Sequence, residues 1–192
     1  MDRQQLMVKV NEDGFFDEVC SMPGAECVRW CMQCGMCSAS CPNVSQMDYS
    51  PRKVIALIRA GKRYEVLSSN SMWVCASCYL CTARCPKDVK PTDLMHTLEC
   101  LAVRHGLVNR KTSVPAMYRT FFDSIRSNGR VCEFSVMTKY YLKTNPLAAL
   151  KMISLALKLL THRRLTLRGE KIKGIEQLRT IIDKARALGG AE

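Results

Sequence analysis

Cys31-Met-Gln-Cys34-Gly-Met-Cys37-Ser-Ala-Ser-Cys41-Pro42 and Cys75-Ala-Ser-Cys78-Tyr-Leu-Cys81-Thr-Ala-Arg-Cys85-Pro86 decide the reading of this chain. All four cysteines and the proline of the first run recur in the second, offset by 44 residues. The likeness continues downstream, where Pro51-Arg-Lys-Val-Ile-Ala-Leu-Ile and Pro91-Thr-Asp-Leu-Met-His-Thr-Leu each place a proline ahead of apolar residues at matching offsets. The core therefore reads as a duplicated loop-plus-helix unit.

Cys-x-x-Cys-x-x-Cys packs three thiolates into a tight loop that can present sulfur to three corners of an iron–sulfur cubane, and the fourth corner needs a sulfur from elsewhere. In two-cluster ferredoxins the fourth cysteine of each Cys-Pro run serves the other cluster. By that logic Cys31, Cys34, Cys37 and Cys85 hold one [4Fe-4S] cluster, and Cys75, Cys78, Cys81 and Cys41 hold a second. Crossed ligation forces the two cofactors close together, as an electron relay requires. Pro42 and Pro86 fix φ, remove a competing N–H and turn the chain away. Structural zinc is the competing reading, but it ordinarily uses two Cys-x-x-Cys knuckles, which leaves the third and fourth cysteines of each run unexplained. Redox dithiols leave the same remainder.

Composition narrows the class. Over 192 residues, 47% hydrophobic and 24% charged content suits a globular protein and neither a disordered nor a membrane-embedded one. Twelve cysteines would suit a disulfide scaffold only in a secreted chain, and the opening Met1-Asp-Arg-Gln-Gln-Leu-Met-Val-Lys-Val has no apolar leader core. A reducing, cytoplasmic setting is expected. The longest near-apolar stretch, Leu147 to Leu160, is interrupted by Lys151 and Lys158 and is too short to span a bilayer, so no transmembrane segment is expected. The net charge of +12 is concentrated late, since residues 105–192 carry seventeen cations against six carboxylates. Two oxidised clusters, each about −2 with its thiolates, would reduce the excess to about +8.

Periodicity supplies the helices. Ser50 is placed to cap a helix that begins at Pro51, turns Val54, Ile55, Leu57 and Ile58 to one side and stops at Gly61. A second runs from Pro91 to His105, with Leu94, Met95, Leu98, Leu101 and Ala102 inward, and stops at Gly106. Further helices are predicted at Val114–Ser127, Glu133–Leu142 and Pro146–Thr161, and a last one after Gly174 carries the stripe Ile175, Leu178, Ile181, Ile182, Ala185, Leu188. Leu6, Val8 and Val10 alternate as in a short strand. The fold class is mainly α: a helical ferredoxin-like domain with two [4Fe-4S] clusters and a C-terminal helical extension. The domains read as an N-terminal segment 1–19, a duplicated core 20–112 and a basic extension 113–192 for subunit contacts.

Cys20, Cys27, Cys100 and Cys132 fall outside the runs and read best as small buried hydrophobes. Trp30, Trp73 and Tyr79 beside the cysteines read as shields that keep water from the clusters. His96, His105 and His162 are scattered and read as structural or solvated. No Gly-rich phosphate loop, no carboxylate pair near a histidine and no dinucleotide fingerprint is present, so no catalytic residue is assigned.

The two runs, followed by Phe121-Phe122-Asp123-Ser124-Ile125-Arg126-Ser127-Asn128-Gly129-Arg130-Val131 and Tyr140-Tyr141-Leu142-Lys143, resemble the C subunit of heterodisulfide reductase and its relatives. The resemblance covers about residues 20–165. It implies an α-helical ferredoxin fold and a hetero-oligomeric place between a flavin- and cluster-bearing A-type subunit and a catalytic B-type subunit acting on disulfides or thiols. The cysteine runs alone are shared with the iron–sulfur subunits of fumarate reductase and glycerol-3-phosphate dehydrogenase, which keeps a membrane-associated, quinone-linked oxidoreductase as the alternative. A peripheral carrier lying on anionic lipid through Pro146–Thr161 and Arg163-Arg164 is a second class. Nucleic acid is disfavoured, because the basic tail lacks interleaved aromatics beyond Tyr140 and Tyr141.

Overall fold

The computed structural model describes residues 14–109, 112–145, 147, 157–159, 161–162 and 171–188. The alternation at Leu6–Val10 and most of the helix expected over Pro146–Thr161 lie outside them. The chain divides into two compact units, Met1–Thr112 and Ser113–Glu192. Among the described residues every regular element is helical, in agreement with the mainly α expectation.

In the first unit, α1 (Phe15–Ser21) and a 3-10 turn (Glu26–Trp30) precede the first cysteine run, which contains the single-turn α2 (Met36–Ala39). A 3-10 turn (Val44–Gln46), α3 (Pro51–Arg59) and α4 (Arg63–Leu67) lead to the second run with its own single turn, α5 (Leu80–Ala83), and α6 (Pro91–Arg104) closes the unit. α2 packs against α5, and α3 and α6 line the core between them and the remaining helices. Both long helices start with proline at the first position. Ser50 stands where the sequence places it, but α3 has no side-chain cap; its Ser50 carbonyl accepts the Val54 N–H at 2.9 Å.

Both helices also stop alike. Gly61 and Gly106 have φ of 72° and 64°. The following N–H groups of Lys62 and Leu107 reach back to the Leu57 and Ala102 carbonyls at 3.0 and 2.9 Å, the six-to-one closure that a left-handed glycine permits. The apolar faces read from periodicity are buried: Val54, Ile55, Leu57 and Ile58 on α3, and Leu94, Met95, Leu98, Leu101 and Ala102 on α6. Each such fully buried Leu or Ile contributes about 1.5–3 kcal/mol of transfer free energy.

The short helix α1 was not foreseen in the sequence, yet its Phe15 and Val19 are fully buried. It is held by Arg63 of α4, itself buried. The Arg63 guanidinium pairs with Glu18, stands 3.2 Å from the His105 Nε2 and lies 4.8 Å from the centre of the Phe15 ring. His105 Nε2 also lies 3.2 Å from Glu18. Partial burial pushes the Glu18 carboxyl up, but hydrogen bonds from Arg63 and His105 outweigh it and hold it below its ordinary 4.5. A carboxyl depressed by folding adds stability that is present above its unfolded pKa and is lost as pH falls through the lower, folded value. Glu18→Gln is therefore expected to unfold earlier in denaturant at pH 7 and to match the parent once pH is well below 4, as followed by helical circular dichroism.

In the second unit, α7 (Val114–Asn128) is stopped by Gly129 at φ 79°. Then come α8 (Glu133–Thr144) and, among the described residues, α9 (Ile175–Ala187). Ser124 Oγ of α7 accepts the Cys132 N–H at 3.0 Å, and Tyr140 OH donates to Ser113 Oγ at 2.7 Å, fixing α8 on α7. The last helix docks on α7 mainly through polar contacts: Arg126 pairs with Asp183 at 3.0 Å, Arg179 Nε donates to the Arg126 carbonyl at 3.2 Å, and Arg186 lies 4.8 Å from the Phe122 ring centre. The stripe predicted for it is only partly used, since Ile181 and Leu188 are exposed.

Candidate iron–sulfur centre

The two cysteine loops repeat one backbone course. Gln33 and Gly35 have positive φ on either side of Cys34, and Ser77 and Tyr79 have positive φ on either side of Cys78. Ala39 and Ser40 N–H bond to Gly35 and Met36 carbonyls, and Ala83 and Arg84 N–H bond to Tyr79 and Leu80 carbonyls, 44 residues later. Left-handed residues set among right-handed ones build N–H-lined concavities suited to anions. Glycine accepts the conformation freely; Tyr79, at the equivalent place, has φ 59° and carries a cost of about 1–2 kcal/mol that the surrounding loop must overcome.

These loops shape two cavities. The first is lined by Cys31, Cys34, Cys37 and Cys85, with Met32, Gln33, Gly35, Met36, Arg52, Ile55, Pro86, Lys87, Val89 and Pro91. The second is lined by Cys41, Cys75, Cys78 and Cys81, with Pro42, Asn43, Met47, Pro51, Ala76, Pro91, Thr92 and Met95. In each cavity the fourth cysteine comes from the other run. Pro91 lines both, so the two spaces share a wall.

The donor set tests what fits. A zinc ion with Zn–S near 2.3 Å draws its ligands to about 3.8 Å from one another. Among the described residues no three Cys, His, Asp or Glu side chains close on a single ion. None of the twelve cysteines is bridged. Four thiols around one cavity suit a group with its own iron–sulfide interior, and neither lining holds a carboxylate that would oppose a net-negative cluster.

Local hydrogen bonds bear on the sulfurs. Gln33 Nε2 donates to Cys31 Sγ at 3.6 Å, and the Thr92 hydroxyl lies 3.3 Å from Cys81 Sγ. Asn43 Nδ2 donates to the Val74 carbonyl at 2.9 Å, tying the turn after the first run to the entry of the second. Burial pushes the Cys37 and Cys75 thiols up, and neighbouring cysteines push the same way. Iron is what would hold them as thiolates, so loading such a site releases protons. The indole N–H of Trp73, two residues before Cys75, is buried with no acceptor among the described residues. Such an orphan donor is uncommon in proteins.

Several sequence expectations are corrected here. Trp30 and Tyr79 are exposed and line neither cavity, so they do not shield them; Trp73 is half-buried against the core. Cys20 and Cys132 are buried as expected, but Cys27 is half-buried and Cys100 is exposed, because Cys100 falls on the face of α6 opposite Leu98, Leu101 and Ala102. His96 bonds Ser77 Oγ through Nε2 at 3.1 Å and faces Glu99 at 3.6 Å, which gives it a structural partner on the second loop. Burial pushes the Glu99 carboxyl up, against the opposing pull of His96. Arg52 and Lys87, which sequence reading passed over, are the cationic members of the first lining. Their signal was available: Lys87 directly follows Cys85-Pro86, and Arg52 follows the helix-starting Pro51.

The family described as a 4Fe-4S dicluster domain matches residues 28–89. Among curated proteins, the chain is 36% identical over 109 residues to the iron-sulfur C 2 subunit of the CoB–CoM heterodisulfide reductase of Methanocaldococcus jannaschii, covering 55% of this chain and 57% of that protein. It is 36% identical over 121 residues to the C2 subunit of the H(2)/formate:CoB-CoM heterodisulfide,ferredoxin reductase of Methanococcus maripaludis, covering 58% and 65%. It is 41% identical over 78 residues to the C subunit of the ferredoxin/F(420)H(2)-dependent CoB-CoM heterodisulfide reductase of Methanosarcina acetivorans, covering 41% and 48%. The chain thus spans about half to two thirds of the length of these relatives.

Proposed function

We propose that this chain, a helical dicluster protein homologous to the C subunits of heterodisulfide reductases, relays electrons within a cytoplasmic hetero-oligomeric complex between a flavin- and cluster-bearing A-type subunit and a catalytic B-type subunit that acts on a disulfide or thiol. Cys31, Cys34, Cys37 and Cys85 bind one [4Fe-4S] cluster, and Cys41, Cys75, Cys78 and Cys81 bind the other. The observation that carries this reading is the exchange of the fourth cysteine: each cavity takes three sulfurs from one run and one from the other.

The bound clusters supply reversible one-electron storage. The residues of this chain do the rest. Their thiolates fix the position of each cluster, and the shared wall at Pro91 keeps the two spaces adjacent. Apolar members such as Ile55, Val89 and Met95 limit water, while Gln33 and Thr92 direct donors at ligand sulfur, which favours the reduced, more negative state. Among the described residues no helix is long and apolar enough to cross a bilayer.

Anaerobic purification with co-expressed candidate A-type and B-type subunits tests both halves. About eight irons and eight sulfides per chain, with co-elution of a flavin subunit, are expected. Zinc in place of iron removes the cluster assignment, and an iron-loaded chain that stays alone removes the proposed partners.

A further inference from the structure

The two cavities differ in the charge and exposure of their linings. In the lining of the first, Met32 and Met36 are 59% and 45% exposed and Cys34 is an exposed thiol, while Trp30, directly before Cys31 in sequence, is 69% exposed. Single exposed apolar residues are ordinary, but two exposed methionines in the lining of one cavity, with an exposed tryptophan one residue before its first cysteine, are the composition of an interface centre. Arg52 and Lys87 line the same cavity, and both are exposed, as is Lys53, next to Arg52 in sequence. The Arg52 side chain runs along the loop, with its Cδ 3.6 Å from where a Cβ on Gly35 would sit. Among the described residues no carboxylate pairs with Arg52, Lys53 or Lys87. The second cavity has no charged residue in its lining, and the exposed apolar residues of its loop are Tyr79 and Leu80, between Cys78 and Cys81 in sequence.

We propose that the mouth of the first cavity is a docking port for a redox protein whose own face is acidic around an apolar centre, with Arg52, Lys53 and Lys87 as the cationic rim and Trp30, Met32 and Met36 as the apolar anchor. The inference deepens the cluster reading above and rests on it. Rim cations matter most for the rate of encounter, which they raise by long-range attraction and which salt then lowers. The buried aromatic and thioether contacts hold the complex once formed. The cations come from α3 and from the second run, the apolar group from the first loop. A correctly assembled double repeat is therefore needed to bring them together.

Stopped-flow electron transfer from a reduced acidic ferredoxin to the anaerobic two-cluster protein provides the test, from about 20 mM to about 0.5 M ionic strength. The rate constant is expected to fall by about tenfold or more across that range. Arg52→Glu with Lys87→Glu should lower the low-salt rate at least tenfold and abolish or invert the salt dependence, with iron content and electron paramagnetic resonance spectra of the clusters unchanged. Trp30→Ala with Met32→Ala should slow the reaction while preserving the salt slope. Lys62→Glu with Arg104→Glu, an equal charge change at the ends of α3 and α6 remote from the prolines that line the cavities, should leave most of the rate. A salt-indifferent parent, or a rim variant that behaves like this control, overturns the port. A preparation that lacks two clusters fails at the iron assay and overturns the reading beneath it.

Discussion

Cys85→Ser is expected to strip the cluster of the first cysteine run and to leave the cluster nearest in sequence in place. The reason is the lining of the two cavities: Cys85 stands with Cys31, Cys34 and Cys37, and Cys41 stands with Cys75, Cys78 and Cys81. A serine hydroxyl is a far weaker iron ligand than a thiolate, so one lost corner is expected to release a cluster or leave it incomplete. Cys85→Ser should therefore lose about four of eight irons, and its remaining paramagnetic spectrum should match that of Cys37→Ser. Cys41→Ser should match Cys78→Ser instead. If Cys85→Ser groups with Cys78→Ser, each run closes its own cluster and the exchange between repeats is wrong. Because each cluster joins both halves of the repeat, either loss should also lower the unfolding midpoint of the first unit, as metal binding and folding share one free energy.

How far the sequence carried the structure depends on whether a signal was periodic or positional. α3 and α6 were legible because their apolar faces repeat at helical spacing and each is bounded by proline and a glycine of positive φ. The duplicated loops were legible because sulfur chemistry needs a fixed count of residues between ligands. α1 was not, because a seven-residue helix shows barely two turns of pattern, and what holds it is Arg63, 45 residues on from Glu18. Exposure of Trp30, Tyr79 and Cys100 was misread for a related reason. Apolar character says that a residue gains from burial, but only the course of the chain decides whether anything covers it. Arg52 and Lys87 were overlooked because neither belongs to a repeat; they converge only when the loop and the helix after it fold against each other.

The first cluster should titrate at the higher reduction potential of the two. Reduction adds one negative charge to a group that is already anionic, so a fixed cation nearby favours the reduced form. At about 8 Å with an effective dielectric of about 20, a unit charge is worth roughly 2 kcal/mol, or about 90 mV for one electron, and solvent around exposed side chains reduces this to a few tens of millivolts each. Arg52 and Lys87 both act on the first cavity, and no charged residue lines the second. Direct hydrogen bonds to ligand sulfur do not reverse the order, because both sites have them, from Gln33 to Cys31 and Ser38 to Cys37 at the first, and between Thr92 and Cys81 and from the Ser77 backbone to Cys75 at the second. Arg52→Gln with Lys87→Gln should lower the first potential by several tens of millivolts and move the second much less. Potentiometric titration monitored by paramagnetic resonance measures both, with Cys85→Ser and Cys41→Ser identifying which signal belongs to which site. If neutralising these cations shifts neither signal, charge at the mouth does not set the order. Electrons would then have no electrostatic reason to settle beside the exposed Cys34.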